Sequence, residues 1–554
     1  MSHAVRAALA ALAGVLAGCG RDAPPLSAVL ITLDTTNREA LGCYGQALPL
    51  TPNLDALARA GVVFEQARTV APITLPAHAA MLTGLVPLRH GVRDNALVPL
   101  AGAAETLAER LSAAGFDCAA FVSAVVLAAP YGLDQGFARY DAPRGSQAGG
   151  GTAPLLERPA AETVRAACDW LRARDRARPF FLWVHGFEPH EPYAPPAEFL
   201  ARAGGNAYLG EVAALDHALG ELVRVLDEEH GLDRLVVIVS ADHGEALGDH
   251  GERTHSVLCY ERVLHVPMLL RLPGGARAGT RVADPVCVTD VTPTVLDALG
   301  LPVPEGLDGR SLLASAKSRG TYFESYTGYL NYGWSPLAGW CENGLKYVHT
   351  SAPELYDLRS DPGETTNLAA TRTDDVARAR AALAELAARP RLEADTHVDE
   401  TLSADVRALG YAGAGSASAY PEPLADSDLP APRTRMDELE LFYRALVRHG
   451  KGKTAEALAD LESVVERNPR NATALNVLAS YLYEQKDAAR ALAVLERIPP
   501  QAAERATVQD LMGHCLENLA RPGEALAHFE RALALKPGDA HQLQDVERAR
   551  GRAR

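Results

Sequence analysis

Two short segments carry carboxylates and imidazoles at the ends of apolar runs. Val29-Leu30-Ile31-Thr32-Leu33 leads into Asp34, and Leu235-Val236-Val237-Ile238-Val239 leads into Ser240-Ala241-Asp242-His243-Gly244-Glu245. In an open α/β sheet, ligands bind in the crevice beyond the carboxyl ends of the strands. If both runs are buried strands, they deliver acidic and imidazole groups to that crevice. Asp242-His243 taken alone fits metal ligation and fits equally a strand-end turn whose Asp caps a helix. Between the two lies Thr74-Leu75-Pro76-Ala77-His78. Thr followed two residues later by Pro reads as a helix start. The N–H groups and dipole at such an end suit a tetrahedral oxyanion. Thr74 also suits the capping position of that helix, and the two roles are compatible.

These residues need alternating strands and helices to position them, and the pattern supplies both. Leu54 to Ala60 reads as an amphipathic helix, followed by a strand at Val62-Val63-Phe64; Phe180-Phe181-Leu182-Trp183-Val184 is a further buried strand. Strands alternating with helices predict an α/β fold on a largely parallel sheet, spanning residues 26–395. Gly145 to Gly151 reads as a surface loop. Residues 412–435 hold Gly413-Ala414-Gly415-Ser416-Ala417-Ser418 and several prolines. They read as a flexible or extended linker with few contacts across the boundary.

Beyond the linker, residues 436–550 repeat. Ala457-Leu458, Ala491-Leu492 and Ala525-Leu526 recur every 34 residues, as do Ala479 and Gly513. Asn468-Pro469 and Lys536-Pro537 close the first and third units, and the middle unit ends early at Pro499-Pro500. This resembles the tetratricopeptide repeat, a helix–turn–helix unit that stacks to share a core. Such an array implies a protein or peptide partner.

Bulk properties exclude some classes. The 554 residues carry 54 Lys and Arg against 70 Asp and Glu, a net charge of −16; this leaves no electrostatic footprint for nucleic acid. Eight cysteines without a CxxC pair argue against a thiolate zinc site or a dense disulfide framework. Arg6 precedes an apolar run that ends Leu16-Ala17-Gly18-Cys19 and is too short to span a bilayer. It reads as a signal peptide over residues 1–19. Leu-Ala-Gly-Cys resembles the bacterial lipobox, which implies lipidation at Cys19 and an exported, lipid-anchored protein in the cell envelope, periplasmic or at the cell surface.

A larger resemblance runs through the α/β segment. Leu33-Asp34-Thr35, Gly42-Cys43-Tyr44-Gly45, Thr51-Pro52-Asn53-Leu54-Asp55, Thr74-Leu75-Pro76-Ala77-His78 and Arg89-His90-Gly91-Val92-Arg93-Asp94-Asn95 are similar to the opening of sulfatase-family chains in the alkaline phosphatase superfamily. Glu188-Pro189-His190-Glu191-Pro192-Tyr193 and Asp242-His243-Gly244-Glu245 resemble later motifs, and Glu354-Leu355-Tyr356-Asp357-Leu358 with Asp361-Pro362-Gly363-Glu364 resembles the closing signature. The resemblance implies a large sheet sandwiched by helices, with a small C-terminal sheet subdomain. It implies that Asp34, Asp242 and His243 hold one divalent metal together with Thr74, which stands at the nucleophile position. Imidazole with oxygen ligands favours zinc or manganese over calcium. Asn95, His190 and His255 fall where the family grips the ester oxygens or assists the leaving group, with Arg253 a further candidate; the alternative for His255 is an exposed loop histidine.

The departures carry chemistry of their own. Sulfatases place Cys or Ser, converted to formylglycine, where this chain has Thr74, and Arg where it has His78. Thr35 replaces a second Asp, Glu188 replaces Asp, and Asn37 stands where Arg is common. Threonine nucleophiles occur in related phosphodiesterases and phosphoethanolamine transferases; Glu188 and His190 offer part of a second metal set of the phosphodiesterase kind. The expected activity is hydrolysis of small or envelope-derived sulfate or phosphate esters through Thr74. The rivals are transfer of a phospho-group to an envelope acceptor, and a catalytically weakened scaffold that binds through its repeats.

Overall fold

The computed structural model describes residues 25–95, 98–143, 157–314, 319–393, 420–536 and 539–553. The export segment with Cys19, the loop at 145–151, Pro537 and residues 412–419 lie outside them. Eight strands make one sheet: β1 (Ser27–Leu33), β2 (Val62–Arg68), β3 (Asp117–Phe121), β4 (Arg139–Asp141), β5 (Phe180–Gly186), β6 (Leu235–Ala241), β7 (Met268–Arg271) and β8 (Thr280–Cys287). Their order is β4-β3-β5-β1-β6-β7-β2-β8. β1, β5 and β6 are buried at every residue, as strands covered on both faces must be. β1 pairs in parallel with β5 and β6, while β7 runs antiparallel to β6 and β2. Leu33 is in register with Gly186 on one side and Ala241 on the other. Asp34 and Asp242, the next residues, therefore leave the sheet side by side.

Three helices matter for the site: α1 (Thr74–Thr83), α2 (Ala160–Ala173) and α3 (Ala207–His230). Every residue of α1 is buried. A second, antiparallel sheet holds β9 (Thr321–Ser325), β10 (Leu337–Glu342), β11 (Leu345–His349) and β12 (Glu354–Asp357), in the order β12-β11-β10-β9. The closing signature thus contributes an edge strand.

The C-terminal region is all helical: α4 (Met436–Gly450), α5 (Thr454–Arg467), α6 (Ala472–Glu484), α7 (Ala488–Leu495), α8 (Ala506–Asn518), α9 (Pro522–Leu535) and α10 (Ala540–Ala553). The 34-residue period has a packing cause. Ala457, Ala491 and Ala525 are fully buried where helices cross, and a Cβ on Gly513 would come within 2.6 Å of the Phe529 ring. The early stop at Pro499-Pro500 leaves α7 short.

The linker differs from expectation over its described part. Tyr420 packs edge-on against Tyr326, Pro421 O accepts from the Tyr326 hydroxyl (2.8 Å), and Pro430 O accepts from Ser335 N (2.8 Å). Residues 420–435 are thus a strap lying on the α/β domain. The boundary that follows is also well populated. Met436 and Leu439 of α4 join Val257, Leu258, Tyr260, Tyr332, Trp334 and Tyr356 in one buried apolar cluster. Asn468 Nδ2 donates to Tyr332 O (2.7 Å), and Trp334 Nε1 to Glu438 Oε2 (3.3 Å). Gly, Ser and Pro content reports that a segment cannot build its own core; it does not report whether a neighbouring surface will take it in. No helix among the described residues is long and apolar enough to cross a membrane, and the seven described cysteines are unpaired.

Candidate active site

Asp34, Asp242 and His243 converge at the carboxyl edge of β1 and β6, all fully buried. His243 Nε2 lies 3.7 Å from Asp34 Oδ1 and 3.4 Å from Asp242 Oδ2. His243 Nδ1 donates to Gly244 O (3.0 Å), which fixes the tautomer and turns the Nε2 lone pair toward the carboxylates. Among the described residues, neither Asp34 oxygen nor Asp242 Oδ2 has a well-formed hydrogen bond. Burial and the adjacent Asp34 charge push the Asp242 carboxyl well above the usual range. Burial would raise Asp34 as well, but the contact with His185 and the charges of the surrounding imidazoles outweigh it and hold Asp34 low. Two buried carboxylates beside an imidazole lone pair are the donor set of a divalent cation, which would compensate both charges. Their ligand atoms all lie within 4.8 Å of one another.

Thr74 is the first residue of α1; Ile73 occupies the capping position and Thr74 makes no capping bond. Its Oγ1 instead lies 3.4 Å from His243 Nε2. The capping alternative is therefore set aside by geometry. The helix end differs from the expected array of free N–H donors. Leu75 N–H is taken by Asn95 Oδ1 (2.8 Å) and Pro76 has none. What this end offers an oxyanion is its dipole and the Asn95 Nδ2, which is buried without a hydrogen-bond partner among the described residues.

On the opposite side stand two more imidazoles. The His255 ring lies 4.6 Å from that of His243 and 5.1 Å from that of His190. His255 is only 6% exposed, so it is not a surface loop residue. Its Nδ1 pairs with Glu245 Oε1 (3.0 Å), and Tyr193 OH donates to Glu245 Oε2 (2.9 Å). Burial would lower the His255 pKa, but the Glu245 carboxylate outweighs it and the net shift is upward. His190 and His243 move the other way, lowered first by burial and also by the charge on His255. The shifts at this cluster thus oppose one another, upward at His255 and downward at His190 and His243. Ser256, next to His255, sits at φ 98°, and Thr35, next to Asp34, at φ 45°; strained backbone of this kind gathers at functional sites.

The remaining candidates divide. Arg253 is exposed and pairs with Glu191, the residue after His190. Both Glu188 oxygens accept from Ala160 N at the start of α2 (3.1 and 2.9 Å), so Glu188 caps that helix. Thr35, in place of a carboxylate, donates its hydroxyl to Pro189 O and tethers the His190 loop. Asn37 exchanges two hydrogen bonds with the Glu245 backbone (2.7 and 2.8 Å) and so positions the partner of His255.

Sequence reasoning passed over His185 and assigned no role to Glu245. Ser123 N–H donates to His185 Nδ1 (3.3 Å), so its proton sits on Nε2, 3.4 Å from Asp34 Oδ2. That approach is short of a well-formed hydrogen bond, so His185 is a close polar neighbour of Asp34. Its position at the carboxyl end of β5, beside Asp34, was the signal that could have revealed it. His78 Nδ1 donates to Thr74 O (2.8 Å), and burial pushes its pKa down to about 3. A neutral imidazole thus replaces the family's guanidinium.

Residues 27–301 match the sulfatase family, and residues 248–388 match the C-terminal region of N-sulphoglucosamine sulphohydrolase. The chain belongs to the sulfatase family. Residues 449–515 match the tetratricopeptide repeat. Among relatives of this sulfatase-family chain, human arylsulfatase A is 28% identical over 444 residues, covering 66% of this chain and 87% of its own. The arylsulfatase of Clostridium perfringens is 24% identical over 431 residues, covering 61% and 89%. The phosphonate monoester hydrolase of Agrobacterium radiobacter shares the fold with a TM-score of 0.54 at 23% identity, over 65% of this chain and 95% of that one. The α/β sandwich, the small second sheet and the helical repeats expected from the motifs are those found.

Proposed function

We propose that this sulfatase-family chain hydrolyses sulfate or phosphate esters with Thr74 as covalent nucleophile. The observation that carries the reading is the Thr74 hydroxyl, excused from capping its helix and turned to 3.4 Å from His243 Nε2. Asp34, Asp242 and His243 would hold the divalent cation, zinc or manganese by donor chemistry. When bound, such a cation lowers the pKa of a neighbouring hydroxyl and offsets charge on the ester oxygens.

The residues of the chain account for the rest. The Thr74 oxygen, its hydroxyl proton already given up to water, attacks phosphorus or sulfur in line and forms a threonine ester as the bond to the leaving oxygen breaks; cleavage of that ester by water returns the threonine oxygen to the same deprotonated form. Asn95 Nδ2 donates to a non-bridging oxygen, and the α1 dipole favours the negative charge gathering there. His255, its pKa raised by Glu245, in its protonated form delivers a proton to the leaving oxygen; neutral again, it takes a proton from the water that cleaves the threonine ester. Sulfated or phosphorylated components of the envelope are the substrate class, and the lipobox-like Cys19 would hold the enzyme there. Partition of the expressed protein into detergent, lost in Cys19→Ala, tests the anchor.

Rapid acid quench during turnover of an aryl phosphate or aryl sulfate, followed by peptide mass spectrometry, should find the transferred group on Thr74. Asp242→Ala should lose bound metal and activity together. Full activity in Thr74→Ala, or the group on another residue, would remove the assignment.

A further inference from the structure

A second set of metal-ligating side chains lies in the repeats, far along the chain from the α/β site. Asp510 and His514 stand four residues apart on α8, and His541 and Asp545 four apart on α10. Residues i and i+4 share one helix face, and here the two faces meet. One ligand atom from each of the four residues lies within 4.8 Å of every other. His514 Nε2 is 3.5 Å from Asp510 Oδ2 and 3.6 Å from Asp545 Oδ2, and His541 Nδ1 is 2.9 Å from Asp545 Oδ2. Donors held at about 2.0–2.1 Å from a tetrahedral zinc stand roughly 3.3 Å apart, and the three observed separations straddle that value.

Two further observations point to a ligand. Asp545 is 1% exposed; Arg548 takes its Oδ1, while Oδ2, aimed between the two imidazoles, makes no hydrogen bond. The second is α10 itself. Of its fourteen residues it buries only Gln542, Asp545, Val546 and Ala549; its other ties include ion pairs of Arg548 and Arg552 with Glu517 and of Arg550 with Glu530, in which the arginines are solvent-accessible and contribute little. Among the described residues, α10 thus has little apolar surface with which to grip its neighbours.

We propose that Asp510, His514, His541 and Asp545 form a divalent metal site, zinc by preference, that fastens α10 onto α8. Two imidazoles and two carboxylates fill a tetrahedral shell and leave no open position, which is the pattern of a structural site. The carboxylate charges match the charge of the ion. Nothing in this site depends on the chemistry at Thr74.

Zinc titration of metal-free full-length protein against a chromophoric chelator tests the proposal. The wild type should bind one equivalent more than His514→Ala/His541→Ala, and ester hydrolysis by the two loaded proteins should be equal. Zinc should slow hydrogen exchange across residues 540–553 of the wild type and leave the double variant unchanged. His541 is 69% exposed at its side chain, so His541→Ala alone should fold normally and still weaken the second equivalent at least tenfold. Equal zinc stoichiometry in wild type and double variant overturns the site. Loss of the equivalent without any change in exchange across 540–553 overturns its fastening role.

Discussion

As the proposed nucleophile, Thr74 would decide how a covalent intermediate is resolved. A formylglycine hydrate releases sulfate by collapse of a hemiacetal; a threonine ester must wait for water. Phosphoryl groups also carry more negative charge than sulfo groups and gain more from a cation and the α1 dipole. Matched aryl esters should therefore show faster phosphate than sulfate release. Thr74→Ser should keep part of the phosphatase activity, while Thr74→Ala should leave only the background contributed by binding and oxyanion contacts. Faster sulfate release would refute the preference. His255 allows a pH prediction. Its acid form is complete below its pKa and lost as pH rises through it, and Glu245 raises that pKa. Glu245→Gln should move the alkaline limb of the kcat/KM profile to lower pH, and an unmoved limb would show that His255 is not the acid. His255→Ala should cost about 10²–10⁴-fold with poor leaving groups, and much less with nitrophenolate, which needs no proton.

At the scale of elements, the two sheets are joined by a buried charge network. Lys346 on β11 is fully buried, its Nζ 2.8 Å from Glu364 and 3.3 Å from Glu261. Glu261 in turn pairs with Arg68 on β2 at 2.7 Å. The closing signature around Glu364 is thus structural: its carboxylate anchors the small sheet to the large one. Lys346→Met would leave Glu364 buried without its cation, at a cost of about 3–5 kcal/mol. Urea denaturation should show that loss with no change in KM for the molecules that remain folded. The loop carrying His255 is built by a similar device, since both Glu252 oxygens accept backbone N–H groups, of Val257 (2.8 Å) and Leu258 (3.0 Å).

Across the whole molecule, the repeats complete the surface behind that loop. Val257 and Leu258 follow His255 within three residues and pack in the cluster that Met436 and Leu439 close. Burying one such side chain contributes about 1.5–3 kcal/mol. Truncation after Arg435 should lower the melting temperature, promote aggregation and reduce kcat by loosening the His255 loop. Met436→Ser/Leu439→Ser in the full-length protein should reproduce the loss in milder form. A truncated protein with unchanged melting and kcat would show that the domains are independent.

Much of this architecture was legible from residues alone because it rests on local or ordered signals. Apolar runs of strand length marked β1, β5 and β6, a 34-residue spacing of small residues marked the repeats, and the order of short motifs marked the family. The strand ends brought Asp34, Asp242 and His243 to one edge because the carboxyl-end rule follows from sheet topology. Other assignments needed the third dimension. Glu188 became a helix cap, Glu245 the partner of His255, and His185 a close polar neighbour of Asp34, because a side chain's role depends on which backbone group or charge lies within reach, and reach is not encoded in spacing along the chain. The linker followed the same logic: its composition excluded a core of its own, and only the surface of Tyr326 and Ser335 decided that residues 420–435 lie down as a strap. The four ligands on α8 and α10, about thirty residues apart in sequence, meet only because stacked helices present their i and i+4 faces to one another.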